Sequence, residues 1–477
     1  MMRLSQAAQA LGVPLAGGDV EFTAVCTDSR TVRRGDLFVA LRGERFDGHE
    51  FVAQAAAAGA SAAMVESAAA AIAAQGLRER LPLLVVADTL KALGQLARHW
   101  RRQFSLPLVA LTGSTGKTTV KEMLAAILWE ACGASRSSRP DRRSCVLATR
   151  GNLNNHIGVP LTLLELRREH RYAVIEMGMN HTGEISYVTR LAEPDVAVIT
   201  NAGRAHLQFL GSAEAIAHAK GEIFEGLKAD GVAVINADER YAPLWRELSA
   251  SHTQLEFGLA GGAAVSASYR LRELDSEIVL RTPLGEASMV VPAPGLHNVS
   301  NALAASAAAS ALRVPVATVA AGLARFPGVK GRLQRVSGVH GATLIDDSYN
   351  ANPDSVRAAI TVLAQIAGTR LLVLGDMGEL GPQSTALHAE VGAFARESGI
   401  ERLFTLGAVS AAASQAFGSG ACHFPRIEEL LAEVELALAP GVTVLVKGSR
   451  SMQMERVVTA FAVPREERGE RGEGTKP

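Results

Sequence analysis

Leu111-Thr112-Gly113-Ser114-Thr115-Gly116-Lys117-Thr118-Thr119 is the stretch that decides the reading of this sequence. The apolar run Leu108 to Leu111 that leads into it predicts a buried strand. Behind it, Val120, Met123, Leu124, Ile127, Leu128 and Ala131 recur at helical spacing. A Gly-rich turn between strand and helix, entered through Lys-Thr, suits a triphosphate. Backbone N–H groups wrap the phosphates, and the helix N-terminus adds positive potential. On this reading Gly113, Ser114, Thr115, Gly116, Lys117, Thr118 and Thr119 hold the nucleotide. Lys117 reaches the outer phosphates and the Thr118 hydroxyl faces Mg²⁺. The usual pattern, G-x-x-x-x-G-K-[ST], wants glycine six residues before the lysine, where this chain has Leu111, so the loop is a shortened variant. The plainer alternative is a Gly-rich turn with an exposed lysine. The strand before it and the helix after it favour the phosphate.

Outward from this loop, apolar strand runs end at Leu111, Ile175, Ile199 and Ile235. Each is followed by Gly, Asn or a charged residue and then by helical periodicity. That alternation predicts a parallel sheet covered by helices, with ligands beyond the carboxyl ends of the strands. Lys117, Glu176, Asn201 and Asn236 should therefore share one edge. The mixed stretch 251–292 is poor in clear strand runs and is expected to add β-structure. An Ala-rich helix should start near Asn301. Before residue 105, the runs Asp36 to Leu41 and Leu83 to Val86, with an Ala-rich helix over Phe51 to Ala58, predict a small separate α/β unit. After Phe326-Pro327-Gly328 a further α/β series begins, with strand runs at Thr343 to Ile345, Leu371 to Leu374 and Val442 to Val446. The expected fold is α/β in three domains: 1–104, a central P-loop parallel-sheet domain over 105–325, and a Rossmann-like domain over 326–463. The charged, Gly-rich tail 464–477 reads as disordered. The length of 477 residues agrees with three domains of ~150 residues each.

The 48 basic and 48 acidic residues balance, which removes the electrostatic reason to expect nucleic acid. Cys26, Cys132, Cys145 and Cys422 lack C-x-x-C spacing, so free thiols in a reducing cytoplasm are expected. No apolar run of 18 residues reads as a membrane span, and no signal peptide is visible. A cytoplasmic monomer is the expectation.

Glu176 ends the strand in YAVIEMG, where a carboxylate beside a P-loop holds Mg²⁺ directly or through water. Spacing alone does not single out His206 in TNAGRAHL or Lys220 in AHAKGEIFEGL, and Lys220 between His218 and Glu222 reads as a solvated helix face. Asn152, Asn154 and Asn155 in GNLNNHIGVP suit turn chemistry or a polar ligand. Asn298 and Asn301 fit either a helix cap or a contact with a base. In Asp346-Asp347-Ser348-Tyr349-Asn350-Ala351-Asn352-Pro353 an aspartate suits a ribose diol or an Asx turn. Lys447, Arg450 and Arg332 are candidate cations for an anionic group.

GSTGKTT, GNLNNHIGVP, YAVIEMG, HNVSNALAA, DDSYNANPDS, LGDMGELG with His388 downstream, and KGSRS occur in this order. Together with CTDSRTVRRGDLFVALRGERFDGHEF near the N-terminus, the set closely resembles the Mur ligases of bacterial cell-wall synthesis. DDSYNANPDS, LGDMGELG and KGSRS are similar to the members that add D-alanyl-D-alanine. The resemblance implies an ATP- and Mg²⁺-dependent ligase acting on UDP-N-acetylmuramoyl-tripeptide and D-Ala-D-Ala through an acyl phosphate. It implies a catalytic set of Lys117, His206, Lys220 and Arg332. Thr118, Glu176, His206 and Lys220 would hold metal, Lys220 after carbamylation by CO₂. Asn298 and Asn301 resemble the adenine-side asparagines, Asp347 the ribose-binding aspartate, and Arg332 the arginine at the γ-phosphate. Thr27, Asp28, Ser29, Arg30 and Gly43 resemble the uridine-diphosphate site, and Asn155 a residue near the muramoyl group. Asn350, Asn352 and the loop before His388 are expected to meet D-Ala-D-Ala. Two other readings stay open: another Mur-type or folylpolyglutamate-type amino-acid ligase, and a nucleotide-gated binding module.

Overall fold

A computed structural model of the chain describes residues 1–15, 17–43, 46–69, 81–133, 145–204 and 207–463. The central sheet is six-stranded and wholly parallel, ordered Thr253–Phe257, Val232–Asn236, Val196–Ile199, Leu108–Thr112, Tyr172–Glu176, Val146–Ala148. The P-loop strand Leu108–Thr112 is first in the chain yet sits inside the sheet. Later strands go to both sides of it, so the crevice opens at its carboxyl end. All five of its residues are buried, as a strand covered on both faces requires.

The P-loop helix runs Lys117–Ala131 and packs on one face of this sheet with the helix Leu296–Ala311. That second helix begins five residues before Asn301, so the predicted start moves toward the N-terminus. Its N-cap is Gly295, which leaves Asn298 and Asn301 in the first two turns rather than at the cap. The stretch 251–292 adds the β-structure expected of it. Ser266–Leu271, Ser276–Thr282 and Gly285–Val291 form an antiparallel meander, half-exposed and therefore poor in long apolar runs.

The N-terminal unit has a parallel sheet of Ala24–Cys26, Asp36–Val39, Ala62–Glu66 and Leu83–Val86. One of its faces shares a continuous apolar core with the central sheet, through the helix Thr89–Arg101. The C-terminal unit is a six-stranded sheet ordered Gln334–Ser337, Thr343–Asp347, Val442–Lys447, Thr369–Gly375, Arg402–Leu406, Ala421–Phe424, antiparallel only at its first pair. It has its own core on each face. Among the described residues, no buried apolar cluster joins the chain before 330 to the chain after 332. The contact between central and C-terminal units is therefore polar, the kind that opens and closes at low cost.

Cys132 and Cys145 are joined in a disulfide, which corrects the expectation of four free thiols; Cys26 and Cys422 are free. One partner ends the P-loop helix region and the other begins the next strand, a proximity created by topology and carried by no spacing motif. Among the described residues no helix is long and apolar enough to cross a membrane. The tail 464–477 and most of the basic stretch Ser135 to Arg150 lie outside the described residues.

Candidate active site

A cavity of about 870 Å³ lies where the carboxyl edges of the central and C-terminal sheets face each other. Lys117, Glu176, Asn201 and Asn236 all line it, as the strand-end pattern predicts. The P-loop helix has glycine at its N-cap, so no side chain caps its first N–H groups. Gly116 has φ +79°, and a Cβ there would collide with Asn301 Oδ1; a Cβ on Gly113 would strike Thr200 Oγ1. Both positions need glycine because polar groups crowd the loop from the sheet and from the helix Leu296–Ala311.

Lys117 Nζ donates to the Gly113 carbonyl at 2.6 Å, curled over the loop. Burial is the main cause that holds its pKa below the usual lysine range. Thr118 Oγ1 donates to Glu176 Oε2 at 2.9 Å and accepts from Arg332 Nη2 at 2.9 Å. Glu176 is 2 % exposed, and its other oxygen accepts from Asn154 Nδ2 at 2.9 Å. Its backbone N–H donates to Thr149 Oγ1 at 2.9 Å. Arg332 lies under the Tyr349 ring, 4.6 Å from its centroid, so an aromatic face orients it.

A hydroxyl and one carboxylate, both at the mouth of a phosphate loop, are a donor set that suits Mg²⁺, which keeps most of its ligands as water and phosphate. Among the described residues there is no cluster of three or more His, Cys, Asp or Glu that would form an all-protein cage. His206 lies outside the described residues. Lys220 is 1 % exposed, which corrects its reading as a solvated helix face; it is the neighbouring His218 that is exposed. Burial first, and the charge of Lys117 second, hold the Lys220 pKa well below its usual range. An uncharged amine is the form that CO₂ carbamylates.

Asn298 and Asn301 line the cavity, with Asn298 Nδ2 donating to the Pro294 carbonyl and Asn301 Nδ2 to Asn298 Oδ1. From the facing edge, Asp347 Oδ2 accepts from Lys447 Nζ at 2.5 Å and its Oδ1 from Leu333 N at 3.1 Å. Its neighbour Asp346 accepts from Ser348 N, an Asx turn. Asn350 and Asn352 line the cavity, but Asn352 Oδ1 is engaged as the N-cap of the helix Pro353–Ala364. Asn155 also lines it while accepting from Ile157 N and Gly158 N. His388 is wholly buried; its Nε2 accepts from Met377 N and its Nδ1 donates to the Ser384 carbonyl. It braces the loop before it.

Thr27, Asp28, Ser29, Arg30 and Gly43 are not brought to this cavity; they lie in the N-terminal unit, in the turn after the strand Ala24–Cys26 and the loop after Asp36–Val39. There Arg30 holds the Asp28 carboxyl at about 2 through hydrogen bonds, and Ser29 Oγ donates to Gln54 Oε1. Asn201 is legible in sequence only as a strand end, yet its Oδ1 accepts both Ser114 N at 3.1 Å and Thr115 N at 2.9 Å. Asn154, beside the expected Asn155, is the residue that reaches Glu176. Nothing in the sequence marks Tyr349 as the ring that orients Arg332.

A P-loop strand and helix, a buried carboxylate beside the loop threonine, and an arginine supplied by a second α/β unit define a nucleotide-dependent enzyme of two facing domains. Comparison with known families gives the same answer in sharper form. Residues 21–101 match the Mur ligase family catalytic domain, 111–309 the Mur ligase middle domain, and 331–450 the Mur ligase glutamate ligase domain. The chain belongs to the Mur ligase family. It is 43% identical over 462 residues to the UDP-N-acetylmuramoyl-tripeptide–D-alanyl-D-alanine ligase of Escherichia coli (strain K12), spanning 96% of this chain and 98% of that one. It is 37% identical over 444 residues to the ligase of the same name from Bacillus subtilis (strain 168), spanning 91% and 92%. A crystal structure of MurF from Acinetobacter baumannii superposes with a TM-score of 0.85 at 38% identity, covering 96% of this chain and 97% of that one. MurF ligase from Thermotoga maritima, in complex with ADP, superposes at 0.77 with 27% identity, covering 91% and 96%.

Proposed function

We infer that the chain is an ATP-dependent ligase that joins D-alanyl-D-alanine to UDP-N-acetylmuramoyl-tripeptide in peptidoglycan synthesis. The observation that carries this is the meeting of Arg332 with Thr118 across the cavity, in a chain similar over nearly its whole length to ligases of that name.

A carboxylate is a poor acylating agent because its oxygen leaves badly. Transfer of the γ-phosphoryl to that oxygen makes an acyl phosphate and releases ADP. The uncharged amine of D-Ala-D-Ala then attacks the carbonyl carbon, the C–O bond to phosphate breaks, and the amine proton is lost as the amide forms. The first step brings two anions together, so the site must supply positive charge. Lys117 from the P-loop and Arg332 from the C-terminal unit both line the cavity. Thr118 and Glu176 would hold Mg²⁺, which supplies further charge neutralisation when bound. Lys220, as a carbamate, and His206 would hold a second ion. Asn298 and Asn301 face the base, and Asp347 the ribose. Thr27, Asp28, Ser29, Arg30 and Gly43 hold the uridine diphosphate, and Asn155 the muramoyl arm. Asn350 and the loop braced by His388 meet the dipeptide, with Asn352 fixing the helix behind them. Domain limits of 1–104, 105–325 and 326–463 go with this reading, as does work in the cytoplasm, where ATP and the nucleotide-linked precursor are made.

The test is phosphate release with UDP-N-acetylmuramoyl-tripeptide, ATP and D-Ala-D-Ala, leaving out each in turn. The ligase needs all three. Release without the amine acceptor, or with a different amino acid in its place, would count against the assignment.

A further inference from the structure

Arg204 has no part in the phosphate site, yet it makes a dense set of polar contacts between the two facing units. Its backbone belongs to the central one. Three residues earlier Asn201 accepts Ser114 N and Thr115 N, and the Gly203 carbonyl accepts Ser114 Oγ at 3.2 Å. The loop 201–204 is thus stitched to the P-loop. The Arg204 side chain goes the other way. Nε donates to Asp354 Oδ1 at 2.9 Å, and the residue's own backbone N–H donates to Asp354 Oδ2 at 2.8 Å. Nη1 and Nη2 donate to the two oxygens of Glu390 at 2.9 and 3.1 Å. Asp354 stands in the first turn of the helix Pro353–Ala364, and Glu390 in the helix Ser384–Glu397. Arg357 donates to Glu390 at 3.4 Å while its guanidinium lies 3.9 Å from the Phe394 centroid. Glu390 is therefore held from its own side as well. Gly203 permits the approach, since a Cβ there would come within 2.8 Å of Asp354 Oδ2. A second link from the same region, Gln208 N to the Glu379 carbonyl at 3.2 Å, ties it to the loop before His388.

A planar fork paired with two carboxylates is a directional contact, unlike a single exposed ion pair. It sits in an interface without an apolar core, where polar contacts must decide whether the two units stay together.

We propose that Arg204 is a positioning residue for the ligase reaction: its clasp on Asp354 and Glu390 holds the C-terminal unit closed and transmits that closure through Gly203 to the P-loop. This rests on the ligase reading above.

The experiment compares wild type, Arg204→Ala, Glu390→Ala, the double variant and Arg204→Lys, measuring phosphate and amide product separately. ADP binding is measured on the substrate-free proteins. Arg204→Ala should lower kcat about tenfold and raise the phosphate released per amide bond, because an open site lets water take the acyl phosphate. ADP affinity should stay within about twofold. Arg204→Lys, with the charge but not the fork, should be intermediate. The double variant should be no worse than Arg204→Ala. Unchanged kcat and coupling in Arg204→Ala, or losses that simply add in the double variant, would overturn the proposal. If Arg204→Ala fails to fold, Glu390→Ala carries the same readouts. A wild-type protein that makes no amide would defeat the ligase reading instead. The clasp is then judged by small-angle scattering, where equal radii of gyration for wild type and Arg204→Ala would reject it.

Discussion

Arg332 Nη2 lies 2.9 Å from Thr118 Oγ1, although the two residues are 214 positions apart. Thr118 belongs to the first turn of the P-loop helix, and Arg332 enters from the C-terminal side of the Pro327-Gly328 linker. A cation from one unit thus touches the phosphate-binding end of the other. Tyr349 keeps it there by stacking. The site is complete only when the two units are together.

Arg332→Ala should consequently lower kcat far more than it weakens nucleotide binding. A group that stabilises charge developing in a phosphoryl transfer is worth about 10²–10³ in rate. ADP affinity, set mainly by the loop and Lys117, should change only a few-fold. Steady-state kinetics beside calorimetric titration of ADP checks this. Unchanged turnover would remove Arg332 from the mechanism.

Lys220→Ala should be nearly inactive and should regain part of its activity with added formate or acetate. Desolvation first, and the charge of Lys117 second, hold the pKa of this buried amine well below its usual range, which favours the uncharged form that CO₂ carbamylates. Depleting CO₂ should also slow the wild type, and bicarbonate should restore it. Full activity in the variant, or no response to CO₂ in the wild type, would exclude the carbamate.

The P-loop and the strand-end residues are legible because strand, turn and helix each have a local period that sequence records. Lys220 is not. It is 1 % exposed although its helix carries an exposed His218 two residues away, so its burial follows from tertiary packing that no local period records. The Arg204–Asp354 contact spans 150 residues and the Cys132–Cys145 link crosses two elements, so neither leaves a pattern. The meander over 266–291 escapes a search for apolar runs because its strands are half-exposed and alternate, whereas such runs mark strands buried on both faces. Asn352 followed by Pro353, with Ser355 at the third helical position, is a capping signature present in the sequence. It accounts for Asn352 more directly than a substrate contact does.

Glu176→Gln should raise the Mg²⁺ concentration needed for half-maximal rate by about tenfold or more, since it removes the charge from a site with few protein ligands. Asn154→Ala should do the same more weakly, about 10-fold at most, because it only orients the carboxylate through its 2.9 Å hydrogen bond. Titrating Mg²⁺ at saturating ATP separates the two. An unaltered Mg²⁺ requirement in Glu176→Gln would assign the metal elsewhere.

His388 gives the fold an acid-sensitive joint. Its ring is wholly buried, with Nδ1 donating to the Ser384 carbonyl and Nε2 accepting from Met377 N. Burial is the first cause that lowers its pKa below the ordinary 6.5, opposed by the Ser384 carbonyl and the Asp376 charge. A protonated ring would lose its acceptor for Met377. The folded state therefore takes up the proton less readily than the unfolded chain. The stabilisation is fully present above pH 6.5 and is lost as pH falls through the lowered folded value. The slope is at most about 1.4 kcal/mol per pH unit for one proton. His388→Gln, which keeps an amide at the position but cannot titrate, should melt lower than wild type at about pH 7.5, and the gap should narrow toward about pH 5. Parallel melting curves for the two proteins across that range would show that this histidine does not set the acid limit of the C-terminal unit.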